Sequence, residues 1–308
     1  MNEQIEQLKA DKAALEVAQI VMRKHGGGEM RILNLGAGIQ STALALMAES
    51  GEIAKFDYAI FADVQAEPES VYSHLEWLIK QLSYPVLIRS RGSLLENLKN
   101  GVNADGQRYC SIPAFTGDYG RLGGITRRQC TSEYKIKVVE KTIRQDILNL
   151  PRFGRIPKDI KIVQSFGLSY DEQARVVKVQ RNHSHKNWAV EFPLYDMEMT
   201  RSDCVKWLEN YGIPHTVPRS ACTFCPYHSD AEWKRMKLED SESWDQAVEV
   251  DRIIRDKRMR CNQGMNDQMW LHRSCKPLDE IDFDKSSKDA KGQSFFSFTS
   301  ECEGMCGV

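Results

Sequence analysis

The stretch Asn34-Leu35-Gly36-Ala37-Gly38-Ile39-Gln40-Ser41-Thr42 limits what this chain can fold into more than any other. An apolar run from Met30 to Leu35 leads into it, and Ala43-Leu44-Ala45-Leu46-Met47-Ala48 follows. The first run reads as a strand and the second as a helix, joined by a glycine turn. That order aims several backbone N–H groups and a helix N-terminus at one spot. Unpaired N–H groups and the helix dipole both attract an anion, so the spot favours phosphate or sulfate. Ser41 and Thr42 add hydroxyl donors where the helix begins. The same residues also read as an ordinary tight strand-to-helix turn with an N-cap. They make neither a Walker A loop, since no Lys follows the last glycine, nor a dinucleotide fingerprint, since the third glycine is missing.

Strands and helices alternate after this point. Asp57 to Ala62 reads as a strand ending at Asp63, and Pro68 starts a helix through Tyr72, Leu75, Leu78, Ile79 and Leu82. Pro85 to Ile88 and Lys161 to Gly167 read as further strands. A helix over Tyr134 to Leu148 carries Ile136, Val139, Ile143 and Ile147 on one face. Thr200 to Tyr211 is a helix with Thr200 as N-cap and Asp203 three residues on. Two more helices cover residues 230–238 and 242–258. This pattern predicts an α/β fold, a parallel twisted sheet with helices on both faces and ligands at the C-terminal ends of its strands. Gly36, Ala37, Gly38, Gln40, Ser41, Thr42 and Asp63 would share that edge. Residues 2–24 read as an amphipathic helix stopped by Gly26-Gly27-Gly28, an appendage or an oligomer contact. Residues 100–128 and 168–191 read as loops, and 284–294 as a linker.

The chain has 308 residues, enough for a sizeable core, and a formal net charge of -1. Bulk electrostatics therefore give no hint of nucleic acid, although local basic clusters can bind it. No apolar run is long enough to span a bilayer and no secretory pattern stands at the N-terminus, so the chain reads as cytoplasmic. In a reducing compartment nine cysteines point to metal or redox ligands rather than disulfides. Cys222-Thr223-Phe224-Cys225-Pro226 puts two thiolates on one tight turn. A CxxC alone fits zinc, an iron–sulfur cluster or a redox pair. Cys130, in Arg127-Arg128-Gln129-Cys130-Thr131, lies just before a helix, where the dipole and two arginines favour the thiolate. Cys130, Cys222 and Cys225 together suit a [4Fe–4S] cluster with one iron open, or held by a small molecule, His228 or a tail cysteine; zinc is the rival. Cys204 reads as core. The tail carries Cys302 and Cys306 among glycines. A terminus bearing a thiol can reach into a site, act and leave; incidental cysteines on a frayed end are the plain alternative.

As a set, these residues resemble the sulfonucleotide reductases, which act on adenylyl sulfate or phosphoadenosine phosphosulfate (PAPS). Those enzymes belong to the PP-loop ATP pyrophosphatase superfamily, whose fold is adenine nucleotide alpha hydrolase-like. The likeness covers roughly residues 30–230 and returns at the tail. Gly38-Ile39-Gln40 resembles the reductases' Gly-x-Gln loop. The ATP-cleaving members carry Ser-Gly-Gly-x-Asp-Ser, of which Gly38 and Ser41 are kept while Gln40 replaces the Asp. Phe61-Ala62-Asp63-Val64 resembles the second-strand Asp motif. Cys130 with Lys135-Ile136 resembles the Cys-Cys-x-x-Arg-Lys-Val segment. Pro193-Leu194-Tyr195-Asp196, Gly212-Ile213-Pro214 and the CxxC follow the family's order, and Glu301-Cys302 resembles its Glu-Cys tail. Thr131 and Tyr134 depart from the cluster segment, Pro226-Tyr227-His228 departs after the CxxC, and Gly167-Leu168-Ser169 lacks the Arg expected after that glycine, although Arg175 is kept.

The resemblance implies a PP-loop nucleotide domain over residues 29–215. A CxxC-bearing helical region would cover 216–283 and a linker with the cysteine tail 284–308, after an N-terminal helix over 1–28. It implies an adenine nucleotide, ATP or a sulfonucleotide with or without Mg2+, held at Gly36–Thr42 and Asp63. Arg127, Arg128, Lys135 and Arg175 would hold sulfate or phosphate. Cys302 would attack sulfur, and Cys306 or an external thiol such as thioredoxin would resolve the product. Two other readings stay open. One is an ATP pyrophosphatase that adenylates and thiolates a nucleic-acid base, with the basic run from Arg175 to Lys186 on the nucleic acid. The other is a non-catalytic, nucleotide-binding regulator that carries a cluster.

Overall fold

In β1 (Gly28–Leu35), successive side chains enter two different cores. Met30 and Ile32 pack with Val138, Val139, Ile143 and Ile147, while Leu33 and Leu35 pack with Leu44, Leu75 and Leu208. Burial on both sides is what a parallel strand covered by helices on both faces requires. β1 is the middle strand of five. β2 (Tyr58–Asp63) and β3 (Val86–Ser90) lie to one side, and β6 (Ile160–Phe166) and β7 (Trp188–Glu191) to the other, in the order β3-β2-β1-β6-β7. Every pairing is parallel. The expected α/β sheet with helices on both faces is therefore the fold.

The computed structural model describes residues 28–106, 112–182, 186–256 and 267–284. The expected N-terminal helix, Cys302 and Cys306, and the expected linker apart from residue 284 lie outside them. On one face of the sheet sit α1 (Ile39–Ser50), α2 (Glu69–Gln81) and α7 (Arg201–Tyr211). α1 is wedged between sheet and helices, so Gln40 through Ala48 are all buried and the helix is apolar nearly all round. α7 is stopped and started as its sequence indicates. Thr200 and Asp203 cap it reciprocally, and Gly212 ends it in the left-handed region at φ 84°.

The other face is covered by α4 (Lys137–Lys141), flanked by π-helical turns at Thr131–Ile136 and Thr142–Ile147. The helix expected from Tyr134 thus begins three residues earlier and is wider at both ends. Apolar spacing alone does not encode that widening, and π-turns of this kind are frequent at functional sites.

Two stretches expected to be loops are ordered. Within 100–128, β4 (Phe115–Asp118) and β5 (Arg121–Ile125) form a hairpin, and β4 also pairs with β8 (Met269–Trp270). These strands are short and glycine-bearing, and Phe115 finds its partner Trp270 near the far end of the chain. Local alternation therefore gave no sign of them. Gly117 is required at its place: its φ is +149°, and a Cβ there would stand 2.1 Å from the Arg121 carbonyl oxygen. Within 168–191, a 3-10 turn at Tyr170–Glu172 leads into α5 (Gln173–Asn182) and then β7, which the one-turn α6 (Pro193–Asp196) follows. α5 buries only Val176 and Val179, too few apolar positions to signal a helix.

A further core joins α3 (Leu94–Lys99) to α8 (Asp230–Glu239) and α9 (Ser241–Arg255) through Leu94, Leu98, Tyr134, Phe224, Trp233 and Val250. Asp251 on α9 ties this region down, accepting from the backbone N–H groups of Leu271 and Leu278. Among the described residues no helix is long and apolar enough to cross a membrane.

Candidate functional site

From β1 the chain moves outward to β2 and β3 on one side, and later to β6 and β7 on the other. The loops leaving β1 and β6 therefore part from one another, and such a switch point opens a crevice at the C-terminal edge of the sheet. The glycine loop leaves β1 here. Ala37 takes the left-handed conformation, φ 58°, to turn the chain sharply. Ser41 Oγ accepts from Gly36 N at 3.3 Å and from Gly38 N at 3.2 Å, so it braces the loop. Thr42 N donates to Gly38 O as the first intrahelical bond. The N–H groups of Ile39, Gln40 and Ser41 precede that bond, at the head of the helix.

The side chains of this turn diverge. Gln40 crosses to the β6 side, its Nε2 donating to Ser169 Oγ at 3.3 Å and to Glu172 Oε2 at 3.1 Å. Glu172 also accepts from Ser169 N at 3.2 Å and pairs with the Arg175 guanidinium. Both walls of the crevice are thus knitted together by Gln40, Ser169, Glu172 and Arg175. Thr42 points the opposite way, its Oγ1 2.9 Å from His74 Nε2 on α2. Asp63 ends β2, accepting from Gln65 N at 2.7 Å and the Tyr72 hydroxyl at 2.9 Å. Burial, with the Asp63 charge beside it, pushes the Tyr72 phenol far above its usual range, so it stays a donor to Asp63.

The three singled-out cysteines meet. Cys130, Cys222 and Cys225 line one cleft with Arg128, Lys135 and Val64, around about 390 Å³ of empty space, part of it open to solvent. Val64 follows Asp63 directly, so the cleft lies at the same sheet edge as the glycine loop. The CxxC turn is docked there by Thr223 N donating to Ala66 O at 2.9 Å, and closed by Cys225 N donating to Cys222 O at 3.0 Å. His228, weighed above as a further ligand, turns its Nε2–H onto the Cys222 carbonyl at 2.9 Å and sets its ring edge-on to Trp233. It shapes the turn. Lys135 Nζ stands 3.3 Å from Glu67 Oε1, with both side chains buried. The Arg128 guanidinium lies 4.7 Å from the Tyr227 ring centre.

Among the described residues no group of three or more His, Cys, Asp or Glu side chains is arranged to hold a metal ion. The donor chemistry of the cleft nonetheless fits a thiophilic group: three soft thiols from two loops, with cationic Arg128 and Lys135 close by and apolar walls. Cys204 is fully buried in α7 as expected of a core residue. Cys275 is also core, and burial pushes its thiol up to about 11.

Of the expected sulfate-holding side chains, Arg128 and Lys135 share the cysteine cleft, whereas Arg175 stands on α5 with Glu172. The sequence reading had no place for Glu67, His74, Glu172 or His215, and it noted Ser169 only as part of a departure from the family pattern. His74 did carry a signal. It lies among Val71, Leu75 and Leu78 on the buried face of α2, where a polar residue needs a reason. Compared with known proteins, the chain matches no family model and no curated protein.

Proposed function

We propose that this protein binds an adenine nucleotide in the crevice between β1 and β6 and performs sulfur chemistry at the neighbouring cysteine cleft, as a sulfonucleotide-reductase-like enzyme. The observation that carries this reading is the convergence of Cys130, Cys222 and Cys225 with Arg128 and Lys135 on one cleft, at the sheet edge that holds the glycine loop. The N–H groups heading α1 receive phosphate oxygens, as helix N-termini do. Arg128 and Lys135 hold negative charge beside the thiols. The three cysteines would hold a [4Fe–4S] cluster, with zinc as the rival, and such a group would supply a metal with one position open beside the reacting sulfur.

The reaction follows from thiol chemistry. The Cys302 thiolate attacks the sulfur of adenylyl sulfate or its 3′-phosphorylated form. The bond from sulfur to the phosphate oxygen breaks, and the nucleotide leaves with the electron pair. Cys302 is left as an S-sulfonate. A second thiolate, Cys306 or an external dithiol protein such as thioredoxin, attacks Cys302 Sγ, forms a disulfide and releases sulfite with the electron pair. A dithiol reductant then returns the disulfide to thiols. A thiol on the same tail makes the second step intramolecular. Full-length protein, prepared anaerobically and mixed with either sulfonucleotide and thioredoxin, is expected to yield sulfite and a tail peptide 80 Da heavier, roughly one SO₃ group. Absence of both products refutes the reading.

A second reading draws on the engagement of Arg175 by Glu172 and on Ser169, which is not a cation. Sulfate recognition by a guanidinium fork is then weaker. The alternative chemistry is ATP cleavage to adenylate and thiolate a nucleic-acid base. Pyrophosphate release from ATP that depends on added RNA or DNA decides for it.

A further inference from the structure

The first turn of α1 is held from behind by side chains that the proposed chemistry leaves unused. Thr42 Oγ1 lies 2.9 Å from His74 Nε2, and His74 Nδ1 lies 2.8 Å from Nε2 of His215, in the segment after α7. Thr42 and His74 are 0% and 1% exposed, whereas His215 is at the surface. Trp77 fixes the ring planes, stacking on His74 with centroids 5.7 Å apart and meeting His215 edge-on at 5.1 Å.

A buried imidazole costs free energy unless its nitrogens are bonded, and an aliphatic side chain would fill the same space without that cost. What the ring adds is direction. Burial, then the neighbouring His215, push His74 down to about 4, so it is neutral near pH 7. A neutral imidazole donates from one nitrogen and accepts at the other. The bonds therefore run one way along Thr42, His74 and His215, and His215 decides which nitrogen state faces Thr42. Thr42 N in turn donates to Gly38 O at 2.9 Å, so a displacement at Thr42 passes straight into the glycine loop.

We infer that His74 is a positioning residue for the nucleotide loop: through Thr42 it sets where the backbone N–H groups at the start of α1 point, and His215 sets its tautomer. This rests on the nucleotide reading above and deepens it by naming a residue that acts on the phosphate-binding turn without touching the ligand.

The test titrates full-length protein with ATP and with adenylyl sulfate by calorimetry, with thermal unfolding followed alongside. His74→Ala is expected to weaken nucleotide binding about tenfold, the value of one well-placed hydrogen bond. Thr42→Val should weaken it by a similar factor, and the double variant no further, because both remove one link. His74→Gln, whose amide offers a donor and an acceptor, is expected to restore most of the affinity. His74→Ala that unfolds at lower temperature yet binds with wild-type affinity makes His74 a core residue only and overturns the inference. Additive losses in the double variant overturn it too. Should His74→Ala fail to fold, Thr42→Val and the surface variant His215→Ala carry the test, and wild-type affinity in both overturns it. A wild-type protein that binds neither nucleotide sinks the nucleotide reading itself, and the inference with it.

Discussion

Lys135 and Glu67 face each other at 3.3 Å with side chains 5% and 1% exposed, at the wall of the cysteine cleft. At that separation, and with an effective dielectric constant of about 20, their attraction is about 5 kcal/mol. Both ions have also left water, and that desolvation cancels much of the attraction. The pair is therefore nearly neutral for stability as long as it stays whole. Removing one partner is different, because the other charge stays in the interior and loses this counter-charge. Glu67→Leu and Lys135→Met are each expected to lower the unfolding free energy by about 3–5 kcal/mol. The double variant should recover most of that loss, staying within about 1.5 kcal/mol of wild type, as volume-conserving apolar swaps do. Urea unfolding followed by fluorescence and by circular dichroism measures all three, with a common slope as the check on two-state behaviour. Single losses below about 1 kcal/mol would mean that the pair is hydrated and worth no more than a surface ion pair. A double variant as weak as the sum of the singles would mean that the two side chains do not act on each other, and the argument would fall.

Anaerobic purification of wild type should give a brown protein with iron and sulfide, and Cys130→Ser, Cys222→Ser and Cys225→Ser should each lose colour and iron; a colourless wild-type protein containing zinc removes the cluster. Stability should depend on pH through His74, whose ordinary value of 6.5 falls to about 4 in the native state. Between those values the unfolded chain binds a proton that the native protein does not, so stability rises with pH across the window and is lost as pH falls from 6.5 towards 4. At about 1.36 kcal/mol per pH unit this limb is worth about 3 kcal/mol. His74→Gln should flatten it in urea midpoints measured against pH, and an unchanged slope would show that another group is responsible. Thr200→Ala removes the reciprocal cap of α7 and should cost about 1 kcal/mol in thermal or urea unfolding. No measurable change would mean that water caps the helix equally well.

The strand, glycine turn and helix were legible because three local signals agreed: an apolar run, glycines and a second apolar run. The meeting of Cys130 with Cys222 and Cys225 was legible for a topological reason. Loops at the C-terminal ends of parallel strands share one edge, so residues far apart in sequence come together there. Other features were not legible. β4 pairs with β8 across about half of the chain, Phe115 with Trp270, and no local window of sequence contains both. Ser41 and Thr42 read as a pair of donors beside Gln40 of the Gly-x-Gln loop, yet successive helical residues turn by about 100°. Gln40 therefore crosses to Glu172, Ser41 folds back on the loop, and Thr42 meets His74.

The same geometry sorts the basic residues, which the sequence had grouped together as holding sulfate or phosphate. Arg128 and Lys135 share their cleft with Val64, just beyond the end of β2, while Arg175 belongs to the helix after β6, and β1 runs between them. Neighbouring strands stand about 4.8 Å apart, so β2 and β6, the strands nearest the two positions, lie about 10 Å apart along the sheet edge. In the proposed chemistry an elongated substrate would span both positions, with a phosphate-bearing part at the glycine loop and the reacting group at the thiols. On the proposed chemistry, anchoring of the nucleotide and activation of sulfur would fall to different cations. Replacing Arg175 should then weaken nucleotide binding, and replacing Arg128 should slow the sulfur step at saturating nucleotide. If both replacements altered only affinity, and by the same factor, the two positions would be serving one anion and this division would be wrong.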